Sequence, residues 1–198
     1  MQNMNKFPVL IKPAFAIVAA VAILLFPLKY IQGWVTASVV HELFHLIAIQ
    51  LMKIRIWGIT LDCTGAIIET EPMVPMQELI CALLGPLGAL LLLITATIAP
   101  ITAVCALLQS LFNLLPYYPL DGGRVLHNLT EILIGESMAV RVTKCVNIIT
   151  IIVLSALSVM VQLRYHCGIL PLFMVLLLFL RNLKSNYALQ TARSNSRI

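Results

Sequence analysis

Gly33-Trp34-Val35-Thr36-Ala37-Ser38-Val39-Val40-His41-Glu42-Leu43-Phe44-His45-Leu46-Ile47-Ala48-Ile49-Gln50-Leu51-Met52 decides how the rest of the chain is read. The run is apolar and long enough to cross a bilayer as one helix. It nevertheless carries two histidines four residues apart, with a glutamate directly after the first. Residues i and i+4 share a helix face, so both imidazoles can reach one metal ion. A glutamate at that position is placed to act as the base toward a metal-activated water. Ionisable groups at membrane depth are costly and are kept where they have a use. The spacing therefore predicts a zinc site built into a membrane span.

Working outward, the 198 residues are 61% hydrophobic and 11% charged, with a mean hydropathy of +0.99. These values exclude an ordinary soluble domain. One membrane-embedded domain over residues 1–185 uses nearly the whole chain, followed by a short basic tail, 186–198, expected in the cytoplasm. The net charge of +5 is spread over short loops and the tail with no clustered basic face. It fits a lipid bilayer as partner, with no nucleic acid. Cys63, Cys81, Cys105, Cys145 and Cys167 show no CxxC spacing and read as small buried hydrophobes. Lys6 and Lys12 precede an apolar run that continues through Ile23-Leu24-Leu25-Phe26 with no small-residue cleavage site, which predicts a retained first span rather than a signal peptide.

The expected fold is an all-α polytopic membrane protein with about six transmembrane helices, roughly Pro13–Tyr30, Gly33–Met52, Met76–Ile98, Ile101–Leu115, Met138–Leu163 and Gly168–Leu183. The fourth is short, carries Gln109 and Asn113 and runs into Pro116 and Pro119. That pattern suits a helix broken inside protein rather than against lipid. Between the second and third spans, Ile54–Thr70 alternates apolar and polar residues, with Gly58 and Gly65 as breaks, and predicts a β-hairpin at the membrane surface. If the N-terminus is cytoplasmic, eleven basic residues fall on the inside, against Lys29 and Arg164 outside. This positive-inside bias predicts a multi-pass protein of the cell membrane with both termini, the hairpin and the site facing the cytoplasm.

A catalytic zinc usually takes three protein ligands and keeps one open position. His41 and His45 supply two. Asp121 is the best remaining carboxylate, because Pro116 and Pro119 end the fourth helix and Gly122-Gly123 let the backbone turn sharply beside it.

HELFH in the second span, together with Asn113-Leu114-Leu115-Pro116-Tyr117-Tyr118-Pro119-Leu120-Asp121-Gly122-Gly123-Arg124, closely resembles the site-2 protease family of intramembrane zinc metalloproteases, the M50 type. The six-span bacterial members of the stage IV sporulation protease type look nearest. The resemblance covers roughly residues 14 to 135, and the joint occurrence of two motifs at this separation is specific. It implies one zinc per chain held by His41, His45 and Asp121, with Glu42 activating water and Asn113 binding the substrate backbone or steadying the oxyanion. The substrate implied is a membrane-spanning or membrane-tethered protein, as in regulated intramembrane proteolysis, with a regulatory membrane protein as a further partner. Two departures stand out. Leu84-Gly85-Pro86-Leu87-Gly88-Ala89 has alanine where the family often has the asparagine of GPxxN, and neither a PDZ nor a CBS regulatory domain is recognisable.

Plainer readings stand beside these. Gln109 and Asn113, four apart, could simply bridge helices. Gly85-Pro86 could serve only as a kink with close helix packing. His127 and His166 lie outside both motifs and read as solvent-facing or interfacial, and Asn147 as an interhelical hydrogen-bond donor. A rival class is a zinc-binding membrane transporter, but the polar residues gather near one face instead of forming a path across. Another is a non-catalytic membrane chaperone, which Glu42 would not serve.

Overall fold

The computed structural model of the chain describes residues 8–62, 65–165 and 178. The chain divides into two compact units, Met1–Leu114 and Leu115–Ile198. The sixth predicted span, His166, Cys63, Cys167 and the tail lie outside the described residues, apart from Leu178.

The first unit opens with strand β1, Val9–Ile11, and helix α1, Pro13–Leu25. Pro27 then fixes the boundary. Proline lacks an N–H and pushes the preceding residue toward extended geometry, and Phe26 adopts φ −117°, ψ 143°. The break therefore falls at Phe26-Pro27 rather than between Tyr30 and Gly33. Helix α2 runs through the expected gap, Leu28–Leu51. At its end Lys53 N–H bonds Gln50 C=O (3.0 Å) and Ile54 N–H bonds Ile49 C=O (3.1 Å), with Lys53 at φ 56°. This is a Schellman stop, sealed by Ile49 packing near Ile54 in the core with Ala48 and Cys81.

Strands β2, Ile56–Asp62, and β3, Gly65–Thr70, pair antiparallel, with a bulge between Ile56 and Gly58. The predicted hairpin is thus present, but the sheet has a third strand. β1 joins β2 in parallel, Val9 opposite Ile59 and Ile11 opposite Leu61, giving the order β1-β2-β3. Lys12 fastens this edge, its Nζ lying 2.7 Å from Asp62 Oδ2 and its N–H bonding Leu61 C=O at 3.0 Å.

Helix α3, Pro75–Leu90, continues as a 3₁₀ turn over Leu91–Thr95, and α4 is Pro100–Asn113. The buried residues of α2 are Gly33, Ala37, His41, His45, Ala48 and Ile49, a stripe spaced mostly by four. α3 buries Cys81, Ala82, Gly85, Pro86, Gly88 and Ala89, and α4 buries Ala103, Cys105, Ala106 and Ser110. Small residues let helix backbones approach closely where apolar surroundings provide no hydrophobic drive. Large apolar side chains such as Leu24, Leu43, Ile94 and Leu111 are left exposed.

The second unit holds α5, Asp121–Ile134, and α6, Glu136–Tyr165, joined at Gly135 with φ 99°. Among the described residues, three helical stretches are long and apolar enough to cross a membrane: Leu28–Leu51, Pro75–Thr95 and Glu136–Arg164. α1 and α4, at 13 and 14 residues, reach only about 20 Å, short of a hydrocarbon core about 30 Å thick.

A Cβ added at Gly88 would fall inside the Phe44 ring of α2. Gly88→Leu should therefore destabilise the first unit by about 1–3 kcal/mol, the usual range for overpacking a filled contact. Leu87→Ala, at an exposed neighbour, should change little. Reversible unfolding in mixed micelles measures both.

Candidate metal centre

His41 and His45 lie one turn apart on α2 and are both buried, at 3% and 6% exposure. Their rings meet edge to face, with centroids 4.7 Å apart and planes at 84°. The two Nε2 atoms stand 3.1 Å apart. Two nitrogens bound to one tetrahedral zinc at about 2.0–2.1 Å would be about 3.3 Å apart, so the pair already has close to the spacing a shared ion needs.

His45 is also set electronically. Its Nδ1 is 2.9 Å from the carbonyl oxygen of Cys81 on α3. A carbonyl only accepts, so Nδ1 carries the hydrogen and the neutral ring presents the Nε2 lone pair. Metal-ligating histidines are held in the same way, the other ring nitrogen donating to a carbonyl or carboxylate. The approach is possible because Gly85 lies one turn beyond Cys81 on the same face of α3. A Cβ there would lie inside the His45 imidazole. The cysteine reads correctly as a buried packing residue, since Cys81 is 2% exposed. Its contribution to the site is a backbone carbonyl, which sequence reasoning missed. The signal that could have found it is Gly85, a glycine inside a helix with no turn to make.

Asn113, at the end of α4, brings Nδ2 to 3.5 Å from His41 Nε2. Gln109, one turn earlier, donates from Nε2 to Ser38 Oγ on α2 at 3.0 Å. Gln109 therefore bridges helices, while Asn113 is beside the histidine pair. Pro86 removes one N–H from α3, and its own carbonyl accepts from Ser110 Oγ at 3.2 Å. Glu42 is half-buried, about 100° round the helix from His41.

Asp121 opens α5 in the second unit and is 7% exposed. A carboxylate at a helix start complements the helix dipole, and Arg124 Nη1 lies 3.7 Å from its Oδ1. The preceding loop, Leu115–Leu120, is compact, with Tyr117 and Leu120 buried and a cis bond between Tyr118 and Pro119. Gly123 lets the first turn of α5 lie against this loop, because a Cβ there would meet the backbone of Tyr117 and Tyr118. His127 is half-buried, not solvent-facing. Its Nδ1 is 3.0 Å from Thr143 Oγ1 and its Nε2 3.6 Å from Glu131 Oε2. Buried imidazole and carboxylate donors are a set that zinc accepts.

Comparison with known proteins follows the same lines. Residues 76–157 match peptidase family M50. A curated protein of Synechocystis sp. (strain ATCC 27184 / PCC 6803 / Kazusa), named as a zinc metalloprotease, is 33% identical over 129 residues, 54% of this chain. The matched stretch is 34% of that relative, so the chain spans about a third of its length. Among solved structures, a site-2 protease from Methanocaldococcus jannaschii superposes with a TM-score of 0.61 at 19% identity, covering 91% of each chain. That likeness is one of fold.

If Gly85 is the opening through which His45 reaches the Cys81 carbonyl, Gly85→Ala must turn the imidazole and break that bond. Zinc affinity should fall by about tenfold or more, the usual effect of losing a metal ligand's outer partner. Chelator competition on the purified protein gives the value, and wild-type affinity in Gly85→Ala would disprove the arrangement.

Proposed function

We propose that this chain, whose residues 76–157 match peptidase family M50 and whose fold is that of a site-2 protease, is an intramembrane zinc endopeptidase that cuts peptide bonds in or near the transmembrane segments of membrane-tethered proteins. The observation that carries this reading is the buried His41–His45 pair on α2, its Nε2 atoms 3.1 Å apart and one ring held by a backbone carbonyl. α2 is also long and apolar enough to cross a membrane.

One zinc per chain is assigned to His41, His45 and Asp121. Each of the three is buried, the histidines on α2 and the carboxylate at the start of α5, and two imidazole nitrogens with a carboxylate oxygen are a donor set that zinc accepts. Bound there, zinc would polarise the scissile carbonyl and bring the ionisation of a water to about pH 7. Glu42 then takes the proton of the attacking water and passes it to the leaving amine. Asn113 is assigned to the substrate backbone, because its amide lies beside His41 and can donate to a carbonyl entering next to the pair.

A peptide bond within a spanning helix is already hydrogen-bonded and sterically covered, so the substrate has to unwind before it is cut. Among the described residues strand β3 is an edge of the sheet, paired on one side with β2, and an unwound segment can add to such an edge by backbone hydrogen bonds. Segments with Gly or Pro near the cut, which unwind readily, suit this site best. The bias of basic residues puts the sheet and the site on the cytoplasmic side and favours product release there. Together these assignments describe regulated intramembrane proteolysis.

Glu42→Gln should lower cleavage of a model transmembrane substrate by about 10²–10⁴-fold, the range for losing a general base. The same purified sample should keep stoichiometric zinc. Cleavage at the wild-type rate would remove Glu42 from its role.

Orientation is tested separately. A single cysteine at Lys53, an exposed residue at the end of α2, should react with a membrane-impermeant thiol reagent only from the cytoplasmic side. Labelling from outside reverses the topology.

A further inference from the structure

We infer that Asn147 on α6, assisted by Thr150, is a positioning residue for Asp121, clamping the loop that carries the carboxylate. This inference rests on the reading of Asp121 as a zinc ligand.

Much of α6 is exposed and apolar, as at Ile148, Ile149, Ile152 and Val153. Its buried residues include Ala139, Thr143, Asn147, Thr150 and Ser158, a stripe along one helix face. Four of the five are polar, an unusual face for a helix apolar enough to span a membrane. Asn147 uses both ends of its amide on the backbone of one residue, and so holds the two peptide units on either side of it. Its Oδ1 accepts the Tyr118 N–H at 2.9 Å, and its Nδ2 donates to the Tyr118 carbonyl at 3.3 Å. Thr150 Oγ1 donates to the Pro116 carbonyl at 3.4 Å. The sequence suggested an interhelical donor; the side chain instead acts as donor and acceptor toward a loop.

The loop needs this support. Pro116 and Pro119 have no N–H, and the hydrogen bonds made inside the loop include Tyr117 N–H to Leu115 C=O and Leu120 N–H to Tyr117 C=O. The Tyr118 N–H and C=O and the Pro116 C=O point outward to α6, where a side-chain amide and a hydroxyl replace the water they would otherwise require. Tyr118 is three residues before Asp121, and the intervening Pro119 and buried Leu120 leave the chain little freedom. A fixed Tyr118 peptide therefore fixes the start of α5 and the direction of the Asp121 carboxylate. A metal ligand has to be held within about 0.2 Å, so freeing the loop should be felt at the ion before it is felt by the fold.

The test uses the full chain in lipid nanodiscs with cobalt(II) as probe, reading affinity by chelator competition and ligand geometry from the visible absorption. Asn147→Leu, of similar volume but with no polar atom, should bind cobalt about 10–100-fold more weakly with an altered spectrum and unchanged helical content. Thr150→Val should lose several-fold. Wild-type affinity and spectrum in Asn147→Leu would overturn the clamp. If Asn147→Leu does not fold, Thr150→Val and amide exchange of Tyr118 in the metal-free wild type decide: protection supports the clamp, and exchange at the rate of an open loop overturns it. Asp121→Asn separates the two readings. If it binds cobalt like wild type, the assignment of Asp121 fails and this inference with it. If it loses cobalt while Asn147→Leu does not, only the positioning role falls.

Discussion

Polar atoms inside a hydrocarbon layer have no water to bond, so every one needs a partner from the protein. That constraint organises the polar contacts of both units. His45 gives its Nδ1 hydrogen to a carbonyl of α3, Ser110 caps the carbonyl of Pro86, and Gln109 reaches Ser38. Asn147 and Thr150 supply the proline loop. In water each of these bonds would exchange with solvent for little net gain. Here the alternative is an unmet donor or acceptor, and each bond therefore selects one geometry. The same economy that keeps the span stable fixes the ring of one proposed ligand and the loop of another.

Close approach is the second requirement, and glycine meets it. Gly85 and Gly88 make room on α3 for the His45 and Phe44 rings of α2. The two glycines are three apart and share a face, and the adjacent Phe44 and His45 of α2 each fill the gap above one of them. Gly33, at the other end of the α2 stripe, lies close to Ile101 and Cys105 of α4. The buried histidines are thus part of the packing seam rather than additions to it. A substitution that widens the seam should alter the histidine pair even where no polar atom is touched.

Much of the fold was legible because hydropathy and period carry it. The long apolar runs, the short α4 with its prolines and the alternating Ile54–Thr70 segment all have a one-dimensional signature. Two features did not. β1 is three residues, Val9–Ile11, and pairs in parallel with β2 some fifty residues later. An apolar triplet says nothing of such a partner. The α1–α2 boundary was legible in principle at Pro27, but the apolar character continues across it. Composition placed the break near Gly33 where backbone sterics placed it at Phe26.

For the proposed site, the sequence names side chains and is silent on what supports them. His41, Glu42 and His45 share one motif, and Asp121 follows from the turn chemistry around it. Their supports are largely backbone atoms, and a carbonyl has no residue signature. The need for support nonetheless left traces in both places. Gly85 marks a helix face kept open although no turn requires it. Pro116 and Pro119 mark a loop that must look elsewhere for hydrogen bonds. The supply left a trace too, in the spacing of Thr143, Asn147 and Thr150 along a helix apolar enough to span a membrane. Need and supply are each written locally, about thirty residues apart between Tyr118 and Asn147, and the matching of one to the other is a property of the folded chain. A polar residue in a spanning segment is therefore best read as half of a pair, whose other half is sought among the prolines and glycines that leave a backbone group open.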